Sequence, residues 1–397
     1  MAKKPEIVNE PTISPYSSKK TENAQNTSKV IKNEVLSTQL HGLFGLDHYP
    51  NYLLRWNIAD INKLENYFHQ TLALISKQKQ QLMSIYEITN EFKEGILHKF
   101  DYVRNFEKVF HPKFLENVDI DIKGDGKLYC NWNFNAISEL LVEEIEHVYS
   151  FPLLCKEFCE QIVYHGKQFV TFIQNLSEKK EKEGEEKEKE KKQNTELLLS
   201  LKRCVLDWMS LHWLNDLLLN EIVNGIATKI YQSELYYNCK CVSTDPSVKS
   251  QIRKLNWRHG YLIGYRSKEE LLKQQQITTS SDNLLFLRSE LIPHTDDSEI
   301  TLNICLTKNF EGGKLILHGL RNNSASTEDI YEIICQQGYA IIHPGRLLHQ
   351  VTPVTKGERI MLIVWCRDTV NLRNQVCPCC WINRRSDTNC IAGDQWN

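Results

Sequence analysis

His294, Asp296 and His349 are three side chains of the right types to grip one divalent metal, and Arg359 follows ten residues after the last of them. Two imidazoles and a carboxylate occupy one face of a metal and leave the other positions open, the arrangement used by non-haem Fe(II) oxygenases. The spacing allows it. His294 and Asp296 stand two apart in 294-HTDDSEITLNICL-306, so on an extended strand both would point to the same face. His349, in 343-HPGRLLHQVTPVTKGERIMLIVW-365, must then come from a distant strand, and the interval leaves room for several strands and turns. A barrel of antiparallel strands would bring the three together. A lone H-x-D pair would more simply be a strand end with a satisfied histidine, but the full ordered set outweighs that reading. Two other histidines compete for the third position. His343 precedes Pro344-Gly345, where a strand should end in a turn, and His318 in 314-KLILHGL-320 reads as a strand-end residue, so His349 is preferred.

Arg359 opens the apolar run Ile360, Met361, Leu362, Ile363, Val364 and Trp365, which is rich in β-branched residues and of a length suited to a buried strand. A guanidinium at the mouth of such a strand needs an anion, and it can meet a carboxylate with two parallel hydrogen bonds. 2-Oxoglutarate supplies one. Its C5 carboxylate would sit on Arg359 while its other end faces the metal.

The runs HTDDSEITLNICLTKNFEGG, GYAIIHPGRLLHQVTPVTKGERIMLIVW and NLRNQVCPCC resemble the family of 2-oxoglutarate and iron-dependent oxygenase domain-containing protein 2 and its plant relatives, within the prolyl-4-hydroxylase-like superfamily. Weaker echoes lie in 150-SFPLLCKEFCEQI-162 and 112-PKFLENV-118, so the resemblance covers most of 110–385, with its specific motifs in 257–380. It implies an α+β chain with a C-terminal double-stranded β-helix (jelly roll) and a helical N-terminal region packed on or beside it. It also implies Fe²⁺, 2-oxoglutarate, L-ascorbate, a dioxygenase reaction with O2 that releases succinate and CO2, and a protein prolyl or lysyl side chain as substrate. Carried over residue by residue, the metal ligands are His294, Asp296 and His349, and the 2-oxoglutarate anchor is Arg359. Tyr265, in 261-YLIGYR-266, falls where related hydroxylases place a cosubstrate-bonding tyrosine; a strand tyrosine that simply packs is the competing reading. The chain departs from the family in two places. Segment 267–293 stands where the family has a much shorter glycine-containing loop, and 178–192 with the following QNTELLLSLKRC replaces an asparagine- and tyrosine-containing stretch.

At 397 residues and 41% hydrophobic, the chain can hold two domains or one large one with helical additions. A net charge of −2 gives no overall pull toward nucleic acid or anionic membrane. No apolar run of membrane-spanning length occurs, and the polar start lacks the apolar core of a secretory signal. A cytoplasmic or nuclear location is therefore expected, and thirteen scattered cysteines fit a reducing compartment. Cys377, Cys379, Cys380 and Cys390 form the one cluster. Zinc and free thiols are both open there, with free thiols favoured because adjacent ligands sit awkwardly around a tetrahedral ion. Two rival functions remain: a non-catalytic adaptor using the helices and this tail, or a nucleic-acid oxygenase helped by a local patch of Lys268, Lys273 and Arg288.

The supporting elements divide the chain into a polar arm (1–35), a helical region (36–145), a helical support region (146–256) interrupted by a charged linker (178–195), an oxygenase domain (257–368) and a cysteine-rich tail (369–397). From Asp60, taken as an N-cap, Ile61, Leu64, Phe68, Leu72 and Ile75 recur on one helical face. Residues 178–192 hold seven Glu and seven Lys and can bury nothing. Helical patterning resumes over 196–231. Strand patterning then appears at 261–265, 299–306, 314–318, 339–342 and 359–366, punctuated by Gly312-Gly313, Gly338 and Pro344-Gly345.

Overall fold

The computed structural model describes residues 58–93, 95–178, 204–231, 254–276, 286–320, 330–345 and 347–369. The polar arm, the charged run beyond Glu178 and the tail cysteines lie outside the described residues. The upstream half begins with α1 (Ile58–Thr89), followed by α2 (Pro112–Asn117), the hairpin of β1 (Asp119–Ile122) and β2 (Leu128–Asn131), and α3 (Phe134–Leu140). Next come β3 (Val142–Ile145), β4 (Val148–Pro152), α4 (Lys156–Glu178), β5 (Cys204–Val205), α5 (His212–Leu217), a π-helical turn at Leu218–Val223 and α6 (Asn224–Ile230). Local chemistry sets these starts. Pro112 occupies the first turn of α2 while His111 accepts from the Lys113 N–H, and Asn133 caps α3 by accepting from the Ala136 N–H at 2.8 Å. Along α4, Phe158, Ile162, Phe169 and Ile173 recur at helical spacing and are all buried.

The downstream half is strand-rich. It runs β6 (Trp257–Tyr265), α7 (Lys268–Gln276), β7 (Phe286–Arg288), β8 (Leu291–His294), β9 (Ile300–Cys305), β10 (Glu311–Gly312), β11 (Leu315–Leu320) and β12 (Tyr331–Ile333). It closes with β13 (Tyr339–Pro344), β14 (Leu347–Val351), β15 (Val354–Lys356) and β16 (Arg359–Arg367). The larger sheet has the order β3-β4-β13-β9-β16-β6-β5, with β7 parallel beside β6; the smaller has the order β12-β11-β14-β8. The chain passes repeatedly from one sheet to the other, so residues distant in sequence face each other across the gap.

Period-two alternation separates two cores. On β16, Ile360, Leu362, Val364 and Cys366 pack with the helices, while Met361 and Ile363 turn toward the smaller sheet. On β9, Ile300, Leu302 and Ile304 take the helix side and Cys305 the inner side. Each fully buried aliphatic side chain in these layers contributes about 1.5–3 kcal/mol.

Two expectations need correcting. The sheet does not begin at 257: β4 pairs with β13 and β5 with β6, so stretches from 142–152 and 204–205 are built into it, and the upstream regions are not purely helical. Strand pairing, which has no local signature, recruited them. Asp60 lies inside α1 rather than capping it, and α1 contributes to the core through Ile85 and Ile88, while Ile75 is exposed. The described residues of segment 267–293 carry α7, β7 and most of β8. Among the described residues no helix is long and apolar enough to cross a membrane.

Candidate active site

Strand register brings the two histidines together: β14 pairs antiparallel with β8, and His349 stands directly opposite His294. Their rings lie 4.3 Å apart between centroids. Each ring is fixed by its own backbone. His294 Nδ1 meets the Ile292 carbonyl at 2.9 Å and His349 Nδ1 meets the Leu347 carbonyl at 2.9 Å. A carbonyl only accepts, so both Nδ1 atoms carry hydrogen and both Nε2 lone pairs remain free. Burial, and then the neighbouring His349, push the His294 imidazole below its ordinary pKa, which favours the neutral form that can donate to a metal.

Asp296 reaches the same point by a different route from the one expected. β8 ends at His294, and Asp296 lies just beyond it, drawn in by the hydrogen bond from its N–H to the Gly345 carbonyl at 2.8 Å. A Cβ on Gly345 would fall 2.0 Å from the Ser298 carbonyl oxygen, so only glycine fits where this turn packs against Ser298. Thr301 donates to Asp296 Oδ2 at 2.7 Å, orienting the carboxylate. Its oxygens then lie 3.7 Å from His294 Nε2 and 3.9 Å from His349 Nε2. The ligand atoms of the three residues all fall within 4.8 Å of one another, a donor set and span that suit one divalent cation.

Arg359 begins β16 on the inner face, opposite Tyr265 at the end of β6. It is 2% exposed. Its Nη2 contacts the Cys335 thiol at 3.4 Å, its guanidinium lies 5.0 Å from the Tyr265 ring centre, and its Nε has no hydrogen-bond partner. No carboxylate pairs with it among the described residues. A buried cation left this way is costly unless an anion arrives. Burial also raises the Tyr265 pKa, so the phenol keeps its proton as a donor. His294, Asp296, His349, Arg359 and Tyr265 all line one cavity of about 220 Å³ between the two sheets. The five expected residues therefore converge.

Other lining residues went unnoticed in the sequence. Asn303 and Trp365 face the cavity, and the Trp365 Nε1 is buried without a partner. His343, set aside as a ligand, is fully buried on β13 behind His349, with Nδ1 at 2.9 Å from the Pro344 carbonyl and Nε2 at 3.0 Å from the Asn303 amide. Burial lowers its pKa to about 4, so it packs as a neutral second layer. Thr301 and Asn303 were detectable: they are polar residues at alternating positions of an otherwise apolar strand.

The site thus belongs to the class in which two histidines and a carboxylate can hold a metal beside a buried guanidinium. No protein-family model matches the chain. Among curated proteins it is similar to 2-oxoglutarate and iron-dependent oxygenase domain-containing protein ICU11 of Arabidopsis thaliana, 32% identical over 120 residues, covering 29% of this chain and 26% of that protein. It is 41% identical over 87 residues to 2-oxoglutarate and iron-dependent oxygenase domain-containing protein 2 of Mus musculus, covering 22% of this chain and 25% of the relative. A PKHD-type hydroxylase of Alteromonas mediterranea is 38% identical over 85 residues, 20% of this chain and 34% of the relative. The chain spans about a quarter of the length of the first two. A solved 2OG-Fe(II) oxygenase family oxidoreductase from Burkholderia pseudomallei aligns over 30% of this chain and 45% of its own, at 15% identity and a TM-score of 0.20, an overlap too small to bear on the fold.

Proposed function

We propose that this chain is an Fe(II)- and 2-oxoglutarate-dependent dioxygenase built on a double-stranded β-helix. The observation that carries the reading is Arg359: a guanidinium buried without an anion, in the same cavity as three convergent metal donors. The donors fit Fe²⁺ because both Nε2 lone pairs are free and the carboxylate is oriented for them. When bound, Fe²⁺ and 2-oxoglutarate would supply oxygen activation coupled to decarboxylation, yielding succinate, CO2 and a hydroxylated product.

The chain's own residues do the remaining work. His294, Asp296 and His349 would hold the metal from one side. Arg359 would take the C5 carboxylate with two charge-assisted hydrogen bonds, and the Tyr265 hydroxyl would donate beside it. Met361 and Ile363, with Leu315 and Val351 of the opposite sheet, line the space between and keep it apolar, which strengthens the electrostatics of the site. L-Ascorbate would keep the iron reduced. The substrate class is the one the resemblance implies, a prolyl or lysyl side chain of a protein, and the location is cytoplasmic or nuclear. The test is succinate release from 2-oxoglutarate with Fe²⁺ and ascorbate, compared between the native chain and Asp296→Ala. Asp296→Ala should lose metal binding and turnover together; undiminished succinate release from that variant would reject the assignment.

A further inference from the structure

The cavity holds a second guanidinium. Arg288, at the end of β7, lines it together with His294, Asp296 and Arg359. Its register partner on β6 is Tyr265, whose other neighbour is Arg359, so the three stand side by side across the sheet. It is half-buried, and its charge is felt at both Tyr265 and His294. No acid pairs with it among the described residues. Glu290, two positions on, is held by Lys268 at 3.0 Å, and Glu358 by Arg266 and Lys167. Arg288 also comes from 267–293, the segment in which this chain departs from the family it resembles.

The charges in the cavity point to what is missing. Among the lining residues the carboxylate is Asp296 and the guanidinium groups are Arg288 and Arg359. Once Fe²⁺ and 2-oxoglutarate are in place, the two cosubstrate carboxylates and Asp296 balance the metal and Arg359. One positive charge is left over, and Arg288 carries it. A half-buried guanidinium lining a cavity without an acid of its own is best satisfied by an oxyanion matching its planar fork.

We propose that Arg288 is a specificity-determining residue that binds a carboxylate or phosphate carried by the substrate, so that the site selects acidic acceptors. This rests on the cavity being an Fe(II)/2-oxoglutarate site. On a protein substrate the group would be an acidic or phosphorylated side chain next to the residue oxidised.

The full chain, loaded with Mn²⁺ as an unreactive substitute and saturated with 2-oxoglutarate, is titrated with acetate and separately with inorganic phosphate. Binding is read from the relaxation of the acetate protons or the phosphorus nucleus by the nearby metal. One or both probes should bind the native chain saturably, and whichever binds names the oxyanion. Arg288→Gln should weaken that binding about tenfold or more, and Arg288→Lys less, while 2-oxoglutarate affinity stays within about twofold in both. Equal probe binding by Arg288→Gln, or none by the native complex, would overturn the proposal. So would a matching loss of 2-oxoglutarate affinity, which would put Arg288 in the cosubstrate socket instead. If no Mn²⁺–2-oxoglutarate complex forms before any probe is added, the functional reading itself fails, and the charge balance fails with it.

Discussion

Removing the Arg359 guanidinium should separate cosubstrate binding from metal binding. In the free protein that group is 2% exposed, it contacts a thiol at 3.4 Å and lies 5.0 Å from the ring centre of Tyr265, whose side chain also interacts with it, and its Nε is unpaired. Each hydrogen bond to a charged group contributes about 1.5–3 kcal/mol. Losing both arms of a bidentate pair, while leaving the C5 carboxylate buried without a partner, should cost on the order of 3 kcal/mol, or roughly a hundredfold in affinity. Arg359→Met keeps much of the side-chain volume and should show this loss in calorimetric titration of the Mn²⁺-loaded protein with 2-oxoglutarate. Arg359→Lys should recover part of it, having charge but no fork. Mn²⁺ affinity without cosubstrate should be unchanged, because Arg359 holds none of the three donors. The thermal midpoint of the free protein should stay level or rise, since an uncompensated buried charge has been removed. Full 2-oxoglutarate affinity in Arg359→Met, or loss of metal along with it, would refute the reasoning.

Two further outcomes test the surroundings of the site. Thr301→Val removes the hydroxyl that orients Asp296 and should weaken metal affinity by about tenfold, with little change in 2-oxoglutarate affinity once metal is saturating; direct metal titration checks this. Gly313 has φ +60° and a Cβ there would sit 2.7 Å from the Arg359 Cδ, so Gly313→Ala should lower stability by about 1 kcal/mol or more and raise the 2-oxoglutarate KM. A thermal melt and a KM measurement would show both effects, and an unchanged KM would mean that Arg359 has room to move.

The donor set was legible in the amino-acid sequence alone. Two imidazoles, a carboxylate and an arginine at the mouth of an apolar strand are local facts, as are the apolar, β-branched runs bounded by turn residues that located β6, β9, β11, β13 and β16. Alternation also settles which side chains share a face, and so it placed Arg359 apart from Ile360 without reference to any other strand. Tertiary structure decided everything that depends on which strand lies beside which. The register setting His349 opposite His294, the recruitment of β4 and β5 into the larger sheet, and the turn that draws Asp296 toward Gly345 all join residues far apart in the chain. The same holds for the absence of any described acid beside Arg288 and Arg359. Periodicity records only how a residue is oriented relative to its own neighbours in sequence. Pairing between distant strands is chosen by the burial of both cores together, and no short stretch of sequence carries that choice.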